Sequence, residues 1–159
     1  MNTLSRVGIL SADAEASLTK VAGSLLNLFL RCYVGWQFFK SGMLKVSDWN
    51  ATLGLFQTEY HVPLLPPHVA AITGATGELL FPTLLFIGFM ARPAALGLLF
   101  VNIMAVISYP QLFKFECPAA INDHFYWGIL LVVLFVWGPG QLAVDSIVAR
   151  YRKSGPDQE

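Results

Sequence analysis

The chain has 159 residues, of which 55% are hydrophobic and only 13% are charged. Soluble globular proteins average about 25% charged residues, so this composition excludes a soluble fold and indicates an integral membrane protein. The formal net charge is zero, which gives no reason to expect a nucleic-acid partner. The length corresponds to one domain, about half of which is needed for membrane spans.

Four apolar segments have the length and composition of membrane-spanning helices. They run over about residues 21–39, 68–90, 93–109 and 124–144. The predicted fold class is therefore all-α, a polytopic four-helix membrane bundle over residues 21–145 with tails at 1–20 and 146–159. In "MARPA", Arg92 and Pro93 end the second helix and begin the third, which predicts a tight antiparallel hairpin.

Basic residues near the ends of the spans predict the orientation of the chain. Six lie on the side of the two tails and three on the other side, namely Arg6, Lys20, Arg92, Arg150, Arg152 and Lys153 against Lys40, Lys45 and Lys114. We therefore expect both tails in the cytoplasm. The apolar stretch at residues 7–10 is too short for a signal peptide, so the N-terminal tail is expected to be retained.

The connection at residues 40–67 is too long for a simple turn and contains a helical pattern. Ser47 is a candidate N-cap, and apolar side chains follow at helical spacing before the prolines at 63, 66 and 67: Trp49, Leu53, Phe56 and Tyr60. The pattern predicts an amphipathic helix at the membrane interface. The same aromatic stripe also fits a lid over the mouth of the bundle, and the sequence leaves both interpretations open.

The segment "WGPGQLAVDSIVARYRK" predicts a second amphipathic helix. Gly138, Pro139 and Gly140 end the fourth span, and an apolar face follows, made of Leu142, Ile147, Val148 and Tyr151. Basic residues at its end favour a C-terminal surface helix attracted to anionic lipid. Asp145 either accepts a hydrogen bond from nearby backbone or pairs with Arg92, and the sequence does not decide between the two.

Three polar residues lie deep inside the predicted spans. Arg31 and Glu78 are about eleven residues into the first two spans and Asn102 about ten into the third, which places them near the midplane at 1.5 Å per residue. A guanidinium there costs about 2.5–3.5 kcal/mol on insertion scales, so it needs a partner. We expect Arg31 to pair with Glu78, with Asn102 close enough to add a hydrogen bond.

This expected pair has two interpretations. As architecture it fixes the helix register, and removing one partner would strand the other charge in a low-dielectric interior. As a functional group it forms the polar wall of a ligand site, or Glu78 titrates there.

A second polar group is expected where the outer loops converge: Glu59, His61, His68, Glu116, Cys117, Asp123 and His124. Its members include metal-binding residue types, in particular His61, His68, Cys117 and His124, but their spacing matches no recognised ligand pattern, so we expect no metal site. Cys32 and Cys117 differ in predicted depth and should not form a disulfide. Since the sequence has no C-x-x-C pair, haem-ligating histidine pair or phosphate loop, no intrinsic cofactor is expected.

Several motifs in order resemble the DoxX family of small bacterial membrane proteins over roughly residues 25–150. They are Gly35 and Trp36 with "FFKSGMLK", then "GATGELLFP", "ARPAA", "INDHFYWGIL" and "WGPGQLAVD". The resemblance implies a four-helix bundle in the plasma membrane with an Arg and a Glu in its first two helices, here Arg31 and Glu78. The family is named from a subunit linked to quinone-dependent oxidation of reduced sulfur, and other members are associated with thiol or oxidative-stress systems. No catalytic residue for sulfur oxidation can be matched in this chain.

Together these expectations describe a membrane subunit or accessory of a quinone-linked redox system. Arg31 and Asn102 would bind a quinone and Glu78 would orient Arg31 or accept a proton, while Trp36, Phe38 and Phe81 would line the apolar part of the pocket. Expected partners are membrane lipid, an oxidoreductase or periplasmic protein, and further copies of the chain. Two alternatives remain: a small proton-coupled transporter using Glu78, and a non-catalytic assembly or scaffold protein.

Overall fold

The computed structural model describes residues 3–114 and 119–153, with side chains from residue 15 onward. These ranges contain helices and turns and no strand, which confirms the all-α class. The helices are α1 (Thr3–Ser47), α2 (Trp49–Thr58), α3 (Pro67–Ile87), α4 (Ala91–Ser108), α5 (Ala119–Trp137) and α6 (Val144–Lys153). A short 3₁₀ helix, Pro110–Phe113, follows α4.

Three of the described helices, α3, α4 and α5, are long and apolar enough to cross a membrane. They correspond to the predicted spans at 68–90, 93–109 and 124–144. The helix α5 ends earlier than predicted, at Trp137, because Gly138 and Gly140 take positive φ angles of 84° and 70° that end the helical path. The first predicted span, 21–39, lies within α1.

The helix α1 is much longer than the sequence analysis predicted. Its 45 residues extend over about 68 Å, more than twice the thickness of a bilayer core. The apolar run ends near Phe39, but α1 contains no proline and continues to Ser47. The expected cap at Ser47 is wrong: Asp48 is the N-cap of α2 and accepts a hydrogen bond from the backbone N–H of Ala51 at 3.0 Å.

Helix packing follows the order α1, α3, α4, α5, and α5 also contacts α1. Two glycines let α1 approach α3 closely, since a Cβ at Gly35 would lie 2.7 Å from the ring of Phe86 and one at Gly42 would lie 2.9 Å from Leu79. These two contacts set the antiparallel register of α1 against α3. The apolar core between the helices includes Val34, Phe38, Leu85, Leu98, Leu131 and Leu134.

The bundle has two ends, which we call the α6 end and the α2 end. At the α6 end, α3 and α5 finish, α4 begins and α6 is attached. At the α2 end, the apolar stripe of α2 faces α3: Phe56 packs with Ala70 and Ala71, and Trp49, Leu53 and Tyr60 lie against this cluster. The stripe therefore contacts protein, as the lid alternative requires.

Asp145 joins α6 to the α3–α4 hairpin. Its two carboxylate oxygens accept hydrogen bonds from the backbone N–H groups of Met90 and Ala91, both at 2.9 Å, and its own N–H donates to the carbonyl of Gly88 at 3.0 Å. A carboxylate at this position satisfies N–H groups that begin α4 and interacts favourably with the helix dipole. The sequence left open whether Asp145 bonds to backbone or pairs with Arg92, and the structure shows the hydrogen bonds to backbone.

We expect Asp145→Ala to lower the free energy of unfolding by about 1–2 kcal/mol, because the first turn of α4 loses its cap. Denaturant unfolding in mixed micelles, followed by circular dichroism, measures the change. Asp123→Ala is the control, since Asp123 is an exposed acidic residue on α5. Its expected change is within about 0.5 kcal/mol, and equal losses in the two variants would contradict the capping role.

Candidate functional site

Arg31 is 1% exposed, and its guanidinium bonds to a side chain of its own helix, to the last turn of α3 and to the segment before α6. Nη1 donates to the carbonyl of Leu85 at 2.9 Å, Nη2 donates to the carbonyl of Leu142, and Nε donates to the side-chain oxygen of Asn27 at 3.1 Å. Leu85 belongs to the last turn of α3, where carbonyls lack helical partners and a cation is favoured by the dipole. Arg31 therefore caps α3 and holds the segment that leads into α6.

Asn27 extends this contact to α5. Its amide donates to the carbonyl of Gly138, the residue after α5, at 2.9 Å. Gly88 leaves room for the guanidinium, because a Cβ there would overlap Arg31 and Ala143. The α6 end is thus held together by polar side chains of α1.

The expected Arg31–Glu78 pair is not formed. Glu78 instead pairs with Lys45, whose Nζ lies 2.6 Å from Oε2 and 2.9 Å from Oε1, and Lys45 also donates to the hydroxyl of Ser41 at 3.0 Å. The side chains of Lys45 and Glu78 are 18% and 10% exposed. The pairing follows from the register between α1 and α3. Because Gly42 lies against Glu78 and Leu79, Lys45 is the cation near Glu78. Arg31 lies beside the α3–α4 turn.

Asn102 has a different partner from the one expected. Its amide nitrogen donates to the carbonyl of His124 at 2.9 Å, and its oxygen lies 2.8 Å from His124 Nδ1, which donates the proton in this contact. The His124 ring packs edge-on against Trp127, with the centroids 5.0 Å apart. Asn102 therefore joins α4 to α5.

The three predicted aromatic lining residues do not surround one cavity. Phe38 is buried in the core and packs edge-on against Trp127 at 5.5 Å, and Phe81 packs against the same core. Trp36 is 55% exposed and stacks with Phe39 on the outside of α1. The binding roles assigned to these residues and to Arg31, Glu78 and Asn102 stay predictions.

The outer polar group is only partly within the described residues. Glu116 and Cys117 lie outside them, while His61 and His68 are exposed. Within residues 3–114 and 119–153, no three His, Cys, Asp or Glu side chains are grouped so as to hold a metal ion.

A groove of about 400 Å³ lies at the α2 end, between α2 and the start of α3. It is lined by Phe56, Gln57, Tyr60, His61, Val62, Pro63, Leu65, Pro67 and Ala70. Small-molecule sites typically have volumes of about 300–1,000 Å³, with mostly apolar walls and a few polar groups. The groove lies within this range by volume, and polar and apolar atoms contribute about equally to its walls. The sequence analysis had considered its residues as an interfacial helix or lid and, for His61, as part of the outer polar group.

Tyr60 is the polar aromatic residue of this groove. Its ring packs edge-on against Phe56 at 4.9 Å and Tyr109 at 5.1 Å. Burial, and then the nearby Tyr109 and Glu78, raise the pKa of Tyr60 above its ordinary value. The Tyr60 hydroxyl therefore stays protonated at neutral pH and can donate a hydrogen bond.

A buried hydroxyl without a partner belongs to Ser108, whose backbone is bonded to the groove residue His61. The backbone N–H of His61 donates to the carbonyl of Ser108 at 2.8 Å, so the groove is attached to the end of α4. Ser108 is 5% exposed, and in the described part of the chain neither its hydroxyl nor the side-chain oxygen of Gln111 has a hydrogen-bond partner. Buried polar atoms without partners are typical of places where water or a ligand binds.

Lys45 is the functional candidate that the sequence analysis missed. The sequence analysis placed Lys45 in an outer loop, because the predicted first span ends at Phe39, just before the charged residue Lys40. Two signals could have found it: no proline lies between Lys40 and Asp48, and Ser41 and Lys45 are four residues apart on one helix face.

Comparison with known proteins gives a family and one relative. The DoxX family model matches residues 26–111. An uncharacterized protein of Haemophilus influenzae is 27% identical over 141 residues, which are 86% of this chain and 91% of that protein. No solved structure matches the chain.

We expect Lys45→Met to lower the free energy of unfolding by about 3 kcal/mol, because Glu78 is left as a buried, unpaired charge. The double variant Lys45→Met/Glu78→Leu should recover most of that loss. Denaturant unfolding of the wild type, both single variants and the double variant measures the coupling. Strictly additive losses would show that the two side chains do not interact.

For Arg31→Lys we expect a loss of about 2 kcal/mol, since the compact ammonium of lysine lacks the planar, separated nitrogens with which Arg31 reaches Asn27, Leu85 and Leu142. The matched control is Arg92→Lys, because Arg92 is exposed and donates to the carbonyl of Val136 at a long 3.3 Å. The same unfolding assay compares them. Equal stability of the two variants would rule out the capping role of Arg31.

Proposed function

The chain belongs to the DoxX family, and from that premise we propose that it is a four-span protein of the bacterial inner membrane, serving as a membrane subunit or accessory of a quinone-linked redox system. The observation that carries this proposal is the groove at the α2 end. The redox role comes from what family membership implies, and the volume of the groove, about 400 Å³, supports a site for a quinone ring there.

The proposed fourth span is the part of α1 that packs along α3. This part carries apolar side chains that point away from the bundle: Leu25, Leu26, Phe29, Tyr33, Trp36, Met43, Leu44 and Val46. Side chains of this kind are suited to contact with lipid tails. Four crossings leave both termini on one side, and the excess of basic residues on that side supports a cytoplasmic location.

The groove suits a quinone in two respects. Phe56 and Tyr60 present aromatic faces and edges to a flat ring, and Val62 and Leu65 provide an apolar wall for the tail. The protonated Tyr60 hydroxyl would donate to a quinone carbonyl. Arg31 and Asn102 are less suited to this task, because their donors are already bonded to carbonyls at Leu85, Leu142 and His124.

A photoreactive quinone analogue tests the groove directly. After reconstitution in lipid nanodiscs and illumination, we expect the label on the peptide that contains Tyr60 and His61. Tyr60→Phe should weaken binding by about 2- to 10-fold, because one hydrogen bond contributes roughly 0.5–1.5 kcal/mol. Tyr126→Phe is the control, since Tyr126 is 57% exposed on α5.

Two results would overturn this site. One is a label on α1 near Arg31, which would restore the originally predicted pocket. The other is equal quinone affinity in Tyr60→Phe and the wild type with no label at the α2 end.

A specific observation also favours the assembly or scaffold alternative. Arg31, Asn27 and Asp145 are all used to hold helix ends together, which is what a rigid platform for a partner protein requires. The transporter alternative gains no such support, because Lys45 contacts both oxygens of Glu78, the atoms that would carry a coupling proton.

Deletion of the gene separates the two remaining functions. If quinone reduction in isolated membranes slows while the amount of the co-purifying oxidoreductase is unchanged, the chain takes part in the redox system. If the amount of the partner falls and the rate per partner molecule is unchanged, the chain acts in assembly.

A further inference from the structure

The helix α6 has no role in the proposed quinone site. Its first turn is attached to the bundle by polar contacts: Asp145 bonds to the backbone of Gly88, Met90 and Ala91, and the hydroxyl of Ser146 donates to the carbonyl of Gly140. The preceding residue, Ala143, is buried. The polar face of α6 is thus the face that contacts protein.

The apolar face of α6 is uncovered. At 100° per residue, Val144, Ile147, Val148 and Tyr151 fall in one stripe about 100° wide. Ile147 is 49%, Val148 40% and Tyr151 77% exposed. A helix that turns its polar face to the protein and its apolar face outward is stable in contact with an apolar medium, such as the interface of a lipid bilayer.

The charged residues of α6 indicate which kind of lipid head group this helix would bind. Asp145 is the one acidic residue of α6, and its carboxylate is occupied by the amides that begin α4. The last turn contains Arg150, Arg152 and Lys153, all exposed. Arg150 also donates to the carbonyl of Gln141 at 3.2 Å, so Arg152 and Lys153 are the residues best placed for an outside anion.

We propose that α6 lies on the membrane surface and binds anionic phospholipid. Ile147, Val148 and Tyr151 enter the boundary between head groups and acyl chains. Arg152, beside this stripe, contacts the phosphates, and Lys153 at the end of the helix adds electrostatic attraction. The membrane is already adjacent, because Asp145 attaches α6 to the turn between two candidate spans, α3 and α4. A second copy paired through α6 offers Arg152 and Lys153 no free carboxylate on that helix, because Asp145 is already bonded to the amides that begin α4.

Hydrogen–deuterium exchange of residues 144–153 in nanodiscs tests the proposal. The chain is compared in phosphatidylcholine and in phosphatidylcholine mixed with phosphatidylglycerol. We expect slower exchange of α6 with phosphatidylglycerol, and a smaller difference at high salt because exposed charges are screened. Arg152→Gln/Lys153→Gln should reduce the additional protection by about thirtyfold.

The matched control is Lys40→Gln/Lys114→Gln, two exposed basic residues that lie outside α6. It should leave the exchange of α6 unchanged, and circular dichroism confirms that both variants are folded. Equal exchange in the two lipid mixtures would overturn the proposal. Protection that rises with protein concentration and not with phosphatidylglycerol would overturn it in favour of a second copy.

Discussion

The buried guanidinium of Arg31 is the constraint on which the arrangement of the helices depends. Desolvating a charge is costly unless its donors are bonded, and here the acceptors are a side-chain amide and two backbone carbonyls. The two carbonyls belong to elements far apart in the chain, so Arg31 positions α1 against both. Once α1 is placed in this way, Gly35 and Gly42 meet α3 and Lys45 lies beside Glu78.

The two ends of the bundle use polar residues differently. At the α6 end, Arg31, Asn27 and Asp145 bond to backbone groups that helix ends leave open, so these side chains support architecture. At the α2 end, an aromatic groove stays open, and Ser108 next to it has an unpaired hydroxyl. A ligand is therefore better accommodated at the α2 end, where binding would not break a contact between helices.

Asp145 also explains the surface of α6. Because α4 has no side-chain cap of its own, a carboxylate from another element satisfies its first N–H groups. That contact fixes which face of α6 turns toward the bundle, and so the apolar stripe and the basic end face the surroundings. One hydrogen-bonding requirement at a helix start thereby creates an apolar and basic surface that is complementary to an anionic membrane interface.

The sequence by itself determined the all-α class, the α3–α4 hairpin, three apolar helices, the helix α2 and the terminal helix α6, because composition, periodicity and helix-stop residues are local properties of the chain. Only the tertiary structure decided the partners of Arg31, Glu78, Asn102 and Asp145, and the groove between α2 and α3. Those contacts depend on the register between helices, and a shift of one turn moves a side chain by about 5.4 Å. Because α1 continues past Phe39 to Ser47, Lys45 is the cation near Glu78. Lys45 lies outside the predicted span 21–39, so counting residues inward from the ends of that span could not identify it as the partner.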